Sequence, residues 1–322
     1  MHRVRIGYVK FLNTLPLVEG LAAWRDADLQ AAVPSKLAAM LLGHPPGHPP
    51  GQQPGSPANT PTLDLALASV IDAAKAGRAP GGQPRIALLP CGMIGCDGPT
   101  LTVRIFSAVP LDQVTVLHAD TDSHTSVALA QILLSRLHNR RPTVVDYDAR
   151  EKVSNGRPEE WPETVLLIGD KVVTDSPPAI RYPHQMDLGE AWKRYTGLPF
   201  VYATWMCRAA DLAEPLSPLG RAILTAAAVL DRQRRRNTQR TEWIIERYST
   251  DRYWPEDLAR RYVTELLRYQ VTDRDRQAVD RFFTEAAALG LVPADAAAQW
   301  ADPPAAPAPT LPALPSATDG GW

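Results

Sequence analysis

Asn13 and Thr14 stand in "FLNTLP", residues 11 to 16, between two apolar runs, "RVRIGYV" and "LVEGLAAW". An amide and a hydroxyl are poor proton carriers but good hydrogen-bonding groups, so the chemistry open to them is orientation and charge stabilisation. The competing use is local: both types cap helices by accepting a first-turn N–H, and Pro16 suits that turn. A second candidate is "ADTDSHTSVALAQILL", where Ser123, His124, Thr125 and Ser126 directly precede or open a helical pattern. Free N–H groups and the helix dipole favour a carboxylate or phosphate there, with capping again the alternative. His124 is also a candidate general base. In "IGCDGPTLTVRIFS", Asp97-Gly98-Pro99 reads as a tight turn and Thr102 begins the next strand. "LLIGDKVV" ends a buried strand at Gly169-Asp170, where a missing side chain would admit a ligand to the backbone.

These residues need a frame that brings them together. Strand-like runs cover residues 3 to 9, 63 to 70, 85 to 90, 101 to 109, 113 to 119, 143 to 147, 163 to 170 and 199 to 206. Helical periodicity marks "LPLVEGLAAW", "PSKLAAMLLG", "TSVALAQILLSRLH" and "LGEAWKRYTG", and from Leu216 onward the signal is almost purely helical. Strands alternating with helices predict an α/β protein with mainly parallel sheets. The order fits two lobes: residues 1–109 as lobe 1, 110–200 as lobe 2, and 201–300 returning to lobe 1. The chain would cross near 107 to 112 and come back near 199 to 208. Ligands of open α/β sheets bind beyond the carboxyl ends of the strands, which is where Asn13, residues 96 to 98 and residues 120 to 126 lie. Two segments, 43 to 62 and 301 to 322, are too rich in Pro and Gly for helix or ladder and read as a loop insert and a disordered tail.

A chain of 322 residues with 45% hydrophobic content can bury a core in two lobes, and its net charge of −1 gives no support for nucleic acid or acidic membranes as partners. "DRQRRRNTQR", residues 231 to 240, reads as a solvated helical face. Cys91, Cys96 and Cys207 have neither disulfide pairing nor zinc-site spacing, which points to a reducing compartment. His44 and His48 lack a third ligand, so no metal is expected. The N-terminus has no secretory pattern and no run is long enough to span a membrane, so the expected location is the cytoplasm. Fingerprints for dinucleotides, phosphate loops, zinc proteases and serine hydrolases are absent.

Taken in order, "RIGYVKFLNTLPL", "VPSKLAAMLL", "DLALASV", "IGCDGPTLTVRIFSAVPL", "DSHTSVALAQILL", "LLIGDKVV" and "DLGEAWKRYTGLPFVYATW" resemble the successive motifs of the chorismate dehydratase family, the first enzymes of the futalosine route to menaquinone. "YVTELLRYQVTDRDRQAVDRFF" also resembles the family's helical end. The resemblance implies a two-lobe, periplasmic-binding-protein-like type II fold, with the helical C-terminal region on the first lobe. It implies a cofactor-free lyase that removes water from chorismate to give 3-[(1-carboxyvinyl)oxy]benzoate. The family's active-site Asn and hydroxyl fall on Asn13 and Thr102, where Thr replaces the usual Ser. Ser69, Ser123, His124, Thr125, Ser126, Gly169 and Asp170 are the expected substrate-binding residues. The family often has Arg where this chain has His124. The alternatives are 1,4-dihydroxy-6-naphthoate synthase of the same pathway and a cytoplasmic solute-binding protein without catalysis.

Overall fold

The computed structural model describes residues 3–43, 62–149 and 161–301. Most of the proline-rich insert and tail thus lies outside the described residues, as do His44 and His48. The strands form two sheets. The first holds β1 (Val4–Tyr8), β2 (Ala27–Ala31), β3 (Leu65–Ser69), β4 (Ile86–Cys96), β10 (Phe200–Arg208) and β11 (Leu267–Arg268), in the order β11-β4-β10-β3-β1-β2. The second holds β5 (Val103–Ser107), β6 (Val116–Asp120), β7 (Thr143–Tyr147), β8 (Thr164–Ile168) and β9 (His184–Asp187), in the order β7-β6-β8-β5-β9.

The sheets are mixed, which corrects the mainly parallel expectation. β1 runs parallel to β2 and β3, and β6 parallel to β7 and β8. The strands flanking the crossovers are antiparallel: β10 to β3 and β4, and β5 to β8 and β9. The crossing also comes earlier than the sequence indicated, because β5 pairs within the second sheet; the chain passes over between Cys96 and Val103 and is back by Phe200. An apolar strand carries no mark of which sheet it will join. Periodicity also missed β2, β9 and β11, which are short and lie at sheet edges, where pairing rather than propensity makes the strand.

The long helix Pro218–Thr238 packs Ile223, Ala226, Val229 and Leu230 against the first sheet's Val4, Ile6 and Ala87. Gln233 and Asn237, within the stretch expected to be a solvated face, are buried, and their amides donate to the Glu19 carbonyl at 2.6 and 2.9 Å. They close the end of the short helix Leu15–Val18, which Gly20 terminates with a left-handed φ of 83°. The last helix, Asp273–Ala288, joins both lobes: Phe282 and Phe283 share one apolar cluster with Phe200, Leu129 and Leu133. Arg136 meets Glu285 at 2.7 Å across the same contact. Among the described residues no helix is long and apolar enough to cross a membrane, and no group of His, Cys, Asp or Glu is placed to hold a metal.

Candidate active site

After β1 the backbone turns through a 3-10 segment, Leu12–Thr14. The Thr14 hydroxyl lies 2.7 Å from the carbonyl oxygens of both Val9 and Phe11 and donates to them, holding the turn closed. No side chain caps the helix Leu15–Val18, so neither Asn13 nor Thr14 has the capping role. Asn13 instead donates from Nδ2 to the Tyr262 hydroxyl at 3.2 Å, while its Oδ1 is buried without a protein partner.

Thr102 reaches the same hydroxyl from the other side, its Oγ1 2.6 Å from Tyr262 Oη. Its placement follows from the crossover. Leu101 is in the left-handed region at φ 71°, a conformation disfavoured for a residue with a branched side chain. The buried Asp187 carboxylate holds it there, accepting the N–H groups of Leu101 at 2.7 Å and Thr100 at 2.9 Å. The same carboxylate caps the helix Leu188–Thr196 through Gly189 and Glu190. A Cβ on Gly189 would come within 2.1 Å of Thr100 Oγ1, so only glycine lets this helix start so close to the crossover.

Tyr262 opens a π-helical turn, Tyr262–Leu266, a wide turn often found at functional positions. Its ring stacks on Trp254 at 5.0 Å and 14°. Burial pushes its phenol above the ordinary value, partly offset by the bonds to Thr102 and Asn13, so it is a neutral hydroxyl. Sequence reading missed this residue: a tyrosine in a helical stretch looks like core, and 160 positions separate it from Thr102. A second hydroxyl pair, Thr100 Oγ1 and Tyr202 Oη at 2.7 Å, was missed for the same reason.

In the segment before the helix His124–His138, the two carboxylates are turned aside. Lys171 Nζ lies 2.5 Å from Asp120 and 2.8 Å from Asp122. The hydroxyls divide. Ser123 accepts the Ser126 N–H as helix cap, and the two hydroxyls lie 3.1 Å apart at the cleft. Thr125, by contrast, accepts the Ile71 N–H at 3.3 Å and does not line the cleft. His124 places Nδ1 2.7 Å from Asp72 Oδ1, between the lobes, and is not among the residues lining the cleft. Both are committed to the protein's own contacts. Asp170 is likewise no cleft residue: burial raises its carboxyl, against the opposing influence of Trp254, Arg252 and the Leu12 backbone beside it.

What remains faces one cleft between the sheets, with about 580 Å³ of empty space including its open mouth. Asn13, Ser69, Thr102, Ser123, Ser126 and Gly169 line it together with Tyr262, Thr100 and Tyr202. Phe11 covers Gly169, 3.6 Å from the position a Cβ would take. Among the described residues that line the cleft, none is a carboxylate, histidine, lysine or arginine. Its chemistry is that of hydroxyls, one amide and the backbone N–H groups of a helix start.

Two mixed sheets facing one another across a cleft define a periplasmic-binding-protein-like fold. Three solved structures share it: protein AF1704 from Archaeoglobus fulgidus (TM-score 0.58, 13% identity, 90% of this chain and 99% of that one); the Candida albicans CA3427 gene product, described as having the generic periplasmic binding protein fold (0.58, 10%, 91% and 92%); and the periplasmic aliphatic sulphonate binding protein SsuA from Escherichia coli (0.53, 14%, 91% and 89%). At such identities the likeness is one of fold. The chain itself belongs to the menaquinone biosynthesis family, whose model matches residues 57–288. Membership gives it a role as an enzyme of that pathway, working on a small molecule.

Proposed function

We propose that the protein is a chorismate dehydratase, a lyase removing water from chorismate to give 3-[(1-carboxyvinyl)oxy]benzoate in the futalosine route to menaquinone. The observation that carries this reading is the absence of any ionisable acid or base other than phenols and hydroxyls among the described cleft residues. Chorismate is a substrate for which such a cleft suffices. The proton lost sits on the ring carbon bearing the enolpyruvyl ether and is conjugated through one double bond to the ring carboxylate. Its removal gives an extended enolate that expels the neighbouring hydroxyl and becomes aromatic. The substrate's own enolpyruvyl carboxylate serves as base.

The protein's work is then to hold a dianion in one pose and to place donors where charge builds. Ser123, Ser126 and the start of the helix His124–His138 offer hydroxyl and N–H groups to a carboxylate. Asn13 and Thr102, which also line the cleft, assist the departing hydroxyl. Ser69 lines the cleft where the ring would lie, and Gly169 borders it beneath the Phe11 ring. A cytoplasmic location accompanies this reading and is supported by three free, buried cysteines. The test is purified protein incubated with chorismate and followed by mass spectrometry and ultraviolet absorbance. Loss of one water with an aromatic product is expected; chorismate recovered unchanged would overturn the assignment.

A further inference from the structure

The hydrogen bonds around Tyr262 have a direction. Asn13 Nδ2 carries only protons, so the Tyr262 oxygen accepts from it at 3.2 Å. The phenol has a single proton of its own, and Thr102 Oγ1, at 2.6 Å, is the oxygen in line to receive it. A phenol is also the stronger acid of that pair, so the shorter bond runs from phenol to alcohol. Thr102 then keeps its own proton, and Thr102 lines the cleft. At the other end of the relay Asn13 Oδ1 is buried and unpartnered, and Asn13 lines the same cleft.

We infer that Tyr262 is a positioning residue for the dehydration: by accepting from Asn13 and donating to Thr102, it turns the Thr102 proton into the cleft and leaves Asn13 Oδ1 free to accept there. This rests on the chorismate reading. The departing ring hydroxyl is both donor and acceptor, so one Thr102 donor and one Asn13 acceptor match it, with Tyr262 fixing which is which. Burial keeps the phenol protonated, as the relay requires. The ring is held independently by its stack on Trp254, so removing the hydroxyl leaves the packing in place.

The test compares wild type, Y262F, T102A and the double variant for kcat, KM and thermal unfolding. Y262F is expected to fold, to keep KM within about threefold and to lose on the order of 30-fold in kcat. In the double variant the Y262F loss should shrink against T102A to the part that acts through Asn13, because the rest of the Tyr262 effect passes through Thr102. A folded Y262F with kcat within about threefold of wild type, or losses that multiply in the double variant, would overturn the role of Tyr262. Asn13→Asp is the second variant, since it replaces the donor facing Tyr262 with an acceptor and draws the phenol proton away from Thr102. It too should lose kcat, and near-normal turnover would overturn the relay. A wild-type protein that does not dehydrate chorismate overturns the function instead, so the two failures are distinct.

Discussion

The carboxylate of Asp187 accepts the Leu101 N–H at 2.7 Å, and so fixes a left-handed residue directly before Thr102. One oxygen takes Thr100, Gly189 and Glu190, and the other takes Leu101 and, at 3.5 Å, the Arg104 guanidinium. Asp187→Asn separates these tasks. With Oδ1 kept toward the three N–H groups, its new amide opposes the Leu101 N–H, donor against donor. Stability should fall by about 1–3 kcal/mol. Turnover should fall at least about tenfold, since Thr102 is displaced from Tyr262. Urea unfolding and steady-state rates on the same preparation check this; loss of stability with normal turnover would show that Thr102 needs no such clamp.

Thr102→Ala should lose on the order of 100-fold in kcat, the usual cost of one transition-state donor, and Asn13→Ala should lose at least about tenfold, since it removes the acceptor that orients the departing hydroxyl and the donor that orients Tyr262. Asn13→Ala should cost less than about 1 kcal/mol of stability, because it also removes the unpartnered Oδ1 and caps nothing. Thr102→Ser keeps the bond to Tyr262 and should remain active. Aromatic product formation and melting temperature on these variants provide the check.

The two hydroxyls at the helix start should separate cleanly. Ser126→Ala removes a cleft hydroxyl and should weaken binding of the aromatic product by about 1–3 kcal/mol, with little effect on folding. Thr125→Ala instead leaves the Ile71 N–H without its acceptor and should reduce stability with little change in affinity. Calorimetric titration and thermal unfolding distinguish them; equal losses of affinity would place Thr125 in the binding surface.

Asp64 sets an acid-side limit on stability. Burial opposes its ionisation, but hydrogen bonds from the Arg5 guanidinium and backbone outweigh burial and hold the carboxyl below its ordinary 3.8. A lowered folded pKa means that the stabilisation is complete above the unfolded value and lost as pH falls through the folded one. Asp64→Asn should therefore be less stable than wild type at neutral pH, with the gap narrowing below about pH 4. Unfolding midpoints between pH 3 and 7 test this; a constant gap would remove Asp64 from the account.

The sequence by itself determined the alternation of strands and helices, the caps and breakers, and the candidates Asn13, Thr102, Ser123 and Ser126. Those are local matters: a Ser before a helical pattern caps it. The periodicity that runs through Gly20 as one helix is not such a matter, since the structure ends that helix at Val18 and turns at Gly20. Which sheet a strand joins, and which candidates share a cleft, depends on contacts between distant positions that no periodicity encodes. Tertiary structure therefore decided that residues 103 to 107 belong to the second sheet and that His124 and Thr125 serve Asp72 and Ile71. It also turned a tyrosine that reads as core into the bridge between Asn13 and Thr102. Neither end of that bridge lies near it in the chain, so only the packed lobes bring the three polar groups within hydrogen-bond distance.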